Sequence, residues 1–276
     1  MSGPPVPPLR LAGVDFTSRP SRRKPVTVAL GTLAHGVVRL DRIDEHLDFD
    51  GFSAWLRTPG PWLGGFDFPF GLPRELVETL GWPTEWPALV RHYAGLDRAV
   101  IRATFAAFCD ARPVGGKFAH RATDGPAGSS PSMKWVNPPV AFMLHAGVPL
   151  LVDAGVHLPG LLDGDRGRVA LEAYPGLLAR EVLGTRSYKS DTRAKQTPER
   201  LIARIDLVDA LHQGRTRLGL RLKLSHAQRD ALIADASADR LDAVLCLVQA
   251  AWASTRADHG MPANADPLEG WIVSAA

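Results

Sequence analysis

The sequence predicts an α/β fold, a sheet covered by helices. Short apolar runs of strand length alternate along the chain with longer helical patterns, the order expected when helices pack on a sheet. The 276 residues, 45% of them apolar, suffice to bury a sizeable core without staples. The 26 glycines and 23 prolines exceed average usage but stay below a disordered composition, which predicts ordered, loop-rich insertions. One domain over residues 9–276, with an insertion at about 71–167, accommodates all three observations.

After a Pro-rich leader at residues 1–8, LRLAGVDF (9–16) reads as the first strand. Leu9, Leu11, Gly13 and Asp15 share one of its faces, Val14 and Phe16 the other. The loop TSRPSRRKP leads to VTVAL (26–30) and GVVRL (36–40), two strands around a Gly-containing turn. A helix around 52–56 is expected within 41–58, and the aromatic-rich WLGGFDFPF (62–70) is the next strand, stopped by Pro69. Helical stretches at 74–80 and 88–108, the second broken near Gly95, enclose the loop PVGGKFAHRATDGPAGSSPSMKW. An apolar segment follows, then the turn DGDRG (163–167). RVALEAYP (168–175) is a strand with Val169 and Leu171 opposite Ala170, Glu172 and Tyr174, and Pro175 ends it. A helix at 176–183 leads into the basic loop GTRSYKSDTRAKQTPER. Thr197 then caps a helix over 198–212 with Pro198 in its first position, and a last long helix spans about 238–256.

Composition excludes several function classes. The 32 Lys and Arg against 29 Asp and Glu leave a charge of only +3, so charge alone supports no partner. Cys109 and Cys246 lie far apart in apolar surroundings, without CxxC or Cys/His pairing, and read as buried thiols in a reducing compartment. The N-terminus lacks the layout of a secretory signal, and no run reaches the ~18–20 apolar residues of a membrane span. A cytoplasmic protein without membrane contact is the expectation. No HxxxH or HExxH spacing supports zinc chemistry, no GxSxG is present, and GGK at 115–117 lacks the earlier Gly and the following Ser/Thr of a phosphate-binding loop.

The acids carry more information. Asp15 closes the first strand, Asp67 closes GGFDF, Glu172 lies near the end of VALEAYP, and Asp239 and Asp242 open the last helix. The carboxyl ends of neighbouring parallel strands share one rim, where such folds place ligands. Asp239 and Asp242 are three apart, so a helix turns both to one side, and the apolar stripe Leu241, Val244, Leu245, Val248 and Trp252 leans Asp242 inward. Two carboxylates ~4 Å apart repel by roughly 4 kcal/mol at an effective dielectric near 20, so a cluster needs protons or cations. Oxygen-only ligands suit Mg²⁺ or Mn²⁺, and two such ions ~3.5–4 Å apart can activate water and stabilise the leaving oxygen in phosphodiester cleavage. Each acid also has a plain structural reading: Asp15 and Asp67 as turn residues, Glu172 paired with Arg180 or Arg186, Asp239 as a first-turn acid favoured by the helix dipole.

GVDFTS, GGFDFPFGLP, LEAYPGLL, RSYKSD, DRLDAVLCLVQAAWA and DPLEGWI, in this order from about Leu11 to Ile272, resemble the family called domain of unknown function 429, described as predicted nucleases of ribonuclease H-like fold. The resemblance implies a five-stranded mixed sheet, the first three strands antiparallel and the last two parallel, flanked by helices. It matches Asp15 to the first-strand acid, Asp67 to the fourth-strand acid, and Asp242 with Asp239 to the acids of the last helix. Those four aspartates would hold Mg²⁺ or Mn²⁺. Glu172 matches the EAYP-type motif as a further ligand or water orienter, and Lys189 of SYK would be an electrostatic helper. The function implied is a metal-dependent nuclease with a nucleic acid substrate. Thr17 keeps the hydroxyl of the superfamily's Asp-x-Gly/Ser/Thr pattern, while Phe16 is bulky.

Two alternatives belong to other classes: a non-catalytic scaffold binding nucleic acid or protein, and a phosphotransferase of the related actin-like and sugar-kinase fold. The second needs a phosphate-binding hairpin and an adenosine motif that the sequence lacks. Arg186, Lys189, Arg193, Lys195, Arg200 and Arg204 form a basic stretch suited to phosphates or to a solvated face, and Tyr188 within it suits base stacking or packing. Lys117, His120, Arg121, Lys134 and Trp135 make the insertion loop a candidate substrate lid.

Overall fold

A computed structural model describes residues 9–275, and the Pro-rich leader at 1–8 lies outside the described residues. Strand β1 (Arg10–Asp15) is the centre of the sheet. Strands β2 (Val26–Ala34) and β3 (Val37–His46) follow it as an antiparallel meander. On the other side of β1, β4 (Trp62–Phe66) pairs in parallel, and β6 (Asp165–Glu172) pairs in parallel with β4. Two short edge strands, β5 (Val156–His157) beside β6 and β7 (Arg221–Lys223) beside β3, complete the order β5-β6-β4-β1-β2-β3-β7. Among the described residues the sheet therefore has seven strands rather than the five expected. Strands of two and three residues are too short to show a period of two, so only their partners reveal them.

The strand expected at 36–40 runs on to His46 through Asp41, Arg42, Asp44 and Glu45. Strand β7 covers only Val37–Arg39; beyond it the Gln228 amide donates to the Leu40 and Asp41 carbonyls at 3.1 and 3.2 Å, and the charges that follow are what a sheet edge carries.

The helices divide between the two faces of the sheet. α1 (Phe49–Leu56), α2 (Arg74–Thr79), α3 (Trp86–Ala94), α4 (Arg98–Asp110), the one-turn α5 (Asp124–Ala127) and α6 (Val140–Asp153) precede β6. Residues of α1–α4 and α6 pack with Ala12, Val14, Phe16, Val28, Trp62, Phe66 and Ala170 in one core. The insertion thus covers one face of the sheet. α6 is apolar nearly all round, so its sequence shows no amphipathic period, and Pro149 sits inside it.

α7 (Pro175–Leu183), α8 (Pro198–Gln213), α9 (His226–Ala234) and α10 (Asp239–Ala253) follow. Their residues meet Leu11, Ala29, Leu63, Val169 and Leu171 in a second core on the opposite face. Pro175 opens α7 instead of ending β6. α9 has one legible signal, the Ser225 and Gln228 pair that closes a capping box. Among the described residues no helix is long and apolar enough to cross a membrane.

α10 lies across the middle of the sheet and is buried along almost its whole length. A Cβ on Gly13 would fall 2.0 Å from the Ala243 carbonyl oxygen and 2.1 Å from the Leu247 nitrogen, and one on Gly65 would fall 2.7 Å from the Cys246 carbonyl oxygen. The helix backbone rests directly on these two glycines of β1 and β4. Both clashes are with backbone, which has no rotamer to turn away. Gly13→Ala is therefore expected to cost about 3 kcal/mol or more. Gly125→Ala, at an exposed position where a Cβ meets nothing within 4 Å, should change stability by no more than about 0.5 kcal/mol. Chemical denaturation of both variants checks the contrast.

Candidate functional site

Strand parity decides which acids meet. Leu11 and Leu63 belong to the core under α7, α8 and α10, and Gly13 and Gly65 touch α10, so Asp15 and Asp67, two residues further on, continue that face. The parallel register pairs Val14 with Phe66, which sets Asp15 level with Asp67 on neighbouring strands. The Asp67 N–H donates to the Val14 carbonyl at 2.9 Å, extending the ladder past β4. α10 brings Asp239 and Asp242 in its first turn, behind Ala238, a buried residue in the left-handed conformation (φ +60°). A non-glycine residue there carries strain of roughly 1–2 kcal/mol.

These elements enclose a cleft of about 580 Å³, lined by Asp15, Asp67, Asp239, Lys24 and Lys189 together with Phe16, Met143, Tyr174, Arg180 and Arg186. Asp15 is 6% exposed, and its buried Oδ2 has no hydrogen-bond partner among the described residues. Burial, then the charges of Asp242, Asp239 and Asp67, hold its carboxyl well above the usual range against the pull of Lys189. Asp67 is pushed up to about 7, by burial first, with Asp242 and Glu172 adding and Lys189 and Lys24 opposing. Burial raises Asp239 as well, against the opposing effect of Lys24.

Two ammonium groups already stand among these carboxylates. Lys24 Nζ lies 2.7 Å from Asp239 Oδ1 and 3.1 Å from Asp191 Oδ1. Lys189 Nζ donates to Asp242 Oδ2, while the Tyr188 hydroxyl donates to Asp242 Oδ1 at 2.5 Å. Burial alone would lower the Lys189 ammonium, but Asp242, then Tyr188, Asp15 and Asp67, hold it well above its ordinary range. Lys24 carries no motif of its own in the SRRK loop, so no spacing singles it out. Tyr188 is buried and bonded to Asp242, the packed one of its two readings, while it also lines the cleft.

Glu172 does not line this cleft, although its charge acts on Asp67. It shares parity with Ala170 and pairs in register with Phe66, so it points to the face covered by the insertion. Its partner is neither Arg180 nor Arg186 but the buried Arg121, whose Nη2 donates to Oε1 at 2.7 Å and Nη1 to Oε2 at 2.8 Å. Oε2 also accepts the Phe70 N–H at 3.0 Å. Arg121 further donates to Asp124 Oδ1 through Nη2 at 2.9 Å and to the Glu269 carbonyl at 3.1 Å. The residue expected in a lid is thus a clamp tying the insertion to the sheet. Of the other lid candidates, neither Lys117, His120, Lys134 nor Trp135 lines the cleft; the insertion reaches it through Pro138, Pro139, Val140 and Met143.

The basic stretch also divides. Arg204 is buried, donating to the Ile233 carbonyl at 2.7 Å and the Tyr188 carbonyl at 2.8 Å, and so braces the loop rather than facing phosphates. Arg186 lines the cleft while pairing with Asp206 at 2.7 Å. Arg193 and Lys195 are exposed.

The donor chemistry at Asp15 and Asp67 fits a hard divalent cation: carboxylate oxygens beside an open cleft, one of them buried and, among the described residues, unpartnered. Arg180 and Arg186 line the same cleft beside the two ammonium groups, so a cation would rest on the bare Asp15 oxygen and the neighbouring Asp67 carboxylate rather than on a net charge deficit. Among the described residues, no three His, Cys, Asp or Glu side chains are arranged as a ready ligand set. Asp239 and Asp242 face Lys24 and Lys189 instead.

Two outcomes follow from these charges. Arg121→Met strands Glu172 and Asp124 as buried carboxylates and should cost about 3–5 kcal/mol. Arg166→Ala breaks an Asp163 pair whose side chains are 78% and 84% exposed and should cost little. Thermal melts of both separate the cases. Asp67 binds a proton more tightly folded than unfolded, so its contribution to stability is full below about pH 4 and is lost as pH rises through about 7. In chelator, Asp67→Asn should therefore be the more stable protein above pH 7, by about 1–2 kcal/mol through the open cleft, with the gain vanishing toward pH 4. A pH-independent gain would contradict the assignment.

Compared with protein-family models, curated proteins and solved structures, the chain shows no match.

Proposed function

We propose that the chain is a Mg²⁺- or Mn²⁺-dependent nuclease that hydrolyses phosphodiester bonds in nucleic acid. The observation that carries this reading is the convergence of Asp15 and Asp67, from adjacent parallel strands, on the first turn of α10, with one Asp15 oxygen buried and unpartnered. The order β3-β2-β1-β4-β6, antiparallel then parallel, supports taking the sheet as ribonuclease H-like, as the resemblance to domain of unknown function 429 implies.

Asp15 and Asp67 would hold the divalent ion. When bound, such an ion lowers the pKa of a water and polarises a phosphoryl oxygen. Lys189, fixed by Asp242, adds positive charge at the cleft for a phosphate, and Tyr188 holds Asp242 in place from the other oxygen. Arg180 and Arg186 on the cleft wall suit flanking phosphates. The two-ion arrangement expected from the sequence also needs the α10 aspartates, and these hold ammonium groups here. Glu172 acts in this reading through the fold, by anchoring Arg121.

Labelled single-stranded, duplex, hybrid and branched nucleic acids, incubated with Mg²⁺ or Mn²⁺, test the proposal. Cleavage should stop in chelator and fall at least about 10²-fold in Asp15→Asn. Cleavage that persists undiminished in that variant would remove the assignment.

A further inference from the structure

The two lysines in the acid cluster are not equivalent. Asp242 is 0% exposed and is held on both oxygens, by Tyr188 and Lys189. The Lys24–Asp239 pair opens on the cleft, with side chains 37% and 10% exposed, and Lys24 spans from Asp239 to Asp191 of the loop opposite. Asp239 lines the same cleft as Asp15, whose buried Oδ2 has no partner. With both ammonium groups in place, Asp15 and Asp67 are, among the described residues, the carboxylates of the cluster without a salt-bridge partner, a place for one divalent ion. A second ion drawn to Asp239 would stand against the Lys24 ammonium on the same carboxylate, and like charges at such range repel strongly. Removing the ammonium frees the carboxylate and takes one positive charge out of the cleft.

Resting on the metal-dependent reading, we propose that Lys24 is a resident cation standing in for a second divalent ion at Asp239, so that the chain binds one ion as it is and two once the ammonium is removed. Lys24 is thereby a positioning residue: it holds Asp239 and the Asp191 loop together without a metal.

Titration with Mn²⁺, counting free ion by its paramagnetic resonance signal, reads this directly. One ion per chain is expected in the wild type and in Lys24→Arg, and two in Lys24→Met. Adding Asp239→Asn to Lys24→Met should return the count to one. Lys24→Gln, titrated in parallel and checked by thermal melt, keeps the result from hanging on the folding of a single variant. Two ions in the wild type, or one ion of unchanged affinity in both neutral variants, overturns the inference. Asp15→Asn separates the two readings. If it retains the wild-type ion, the site assigned to Asp15 and Asp67 fails, while Lys24 is still judged on the change between wild type and Lys24→Met. No Mn²⁺ on any chain overturns both.

Discussion

The site depends on backbone meeting backbone. Helix α10 can lie on the centre of the sheet because Gly13 in β1 and Gly65 in β4 present no Cβ to it, and any side chain there would strike helix main-chain atoms. At that separation the first turn of α10 overhangs the carboxyl ends of the two strands, where Asp15 and Asp67 lie. A larger residue at either glycine would lift the helix and draw Asp239 and Asp242 away from their counterparts. The geometry of the acid cluster is thus set two residues upstream of the acids themselves.

Convergence of four carboxylates carries an electrostatic penalty, and the chain meets it unevenly. Asp242 and Asp239 each have an ammonium partner, but Asp15 keeps a bare buried oxygen and Asp67 is raised toward neutrality. The other face of the sheet offers the contrast. There, Glu172 and Asp124 share the buried guanidinium of Arg121, which also reaches the Glu269 carbonyl. That centre is satisfied and holds the insertion in place. The aspartate cluster keeps one bare carboxylate oxygen and a raised Asp67 beside an open cleft, the perturbation expected at a functional site.

Much of the fold was legible because its elements are long enough to repeat. The alternation in LRLAGVDF identified the faces of β1, and Gly95 marked the break between α3 and α4. Elements without a period escaped: β5 and β7 are too short, and α6 is apolar on nearly all sides. At the site, the five acids were visible as types and positions, but their grouping was not. The alternation that put Glu172 with Ala170 was apparent along its own strand, whereas its relation to Asp15 required the register of β6 on β4 and of β4 on β1. Arg121 and Arg204 were offered as lid and phosphate-facing charges because nothing local distinguishes a buried cation from a solvated one.

By itself the sequence determined the α/β class, the main strands and helices, and the acidic residues at their ends, since these follow from hydrophobic period and turn chemistry within a few neighbours. The tertiary structure alone decided which acids share a face, which cation each one meets, and that Lys24 rather than open solvent faces Asp239. Those outcomes rest on contacts between residues far apart in the chain, Lys24 with Asp239 and Arg121 with Glu172 among them. Charge pairing acts over a few ångströms of space, and only strand register and helix packing bring such distant residues within that reach.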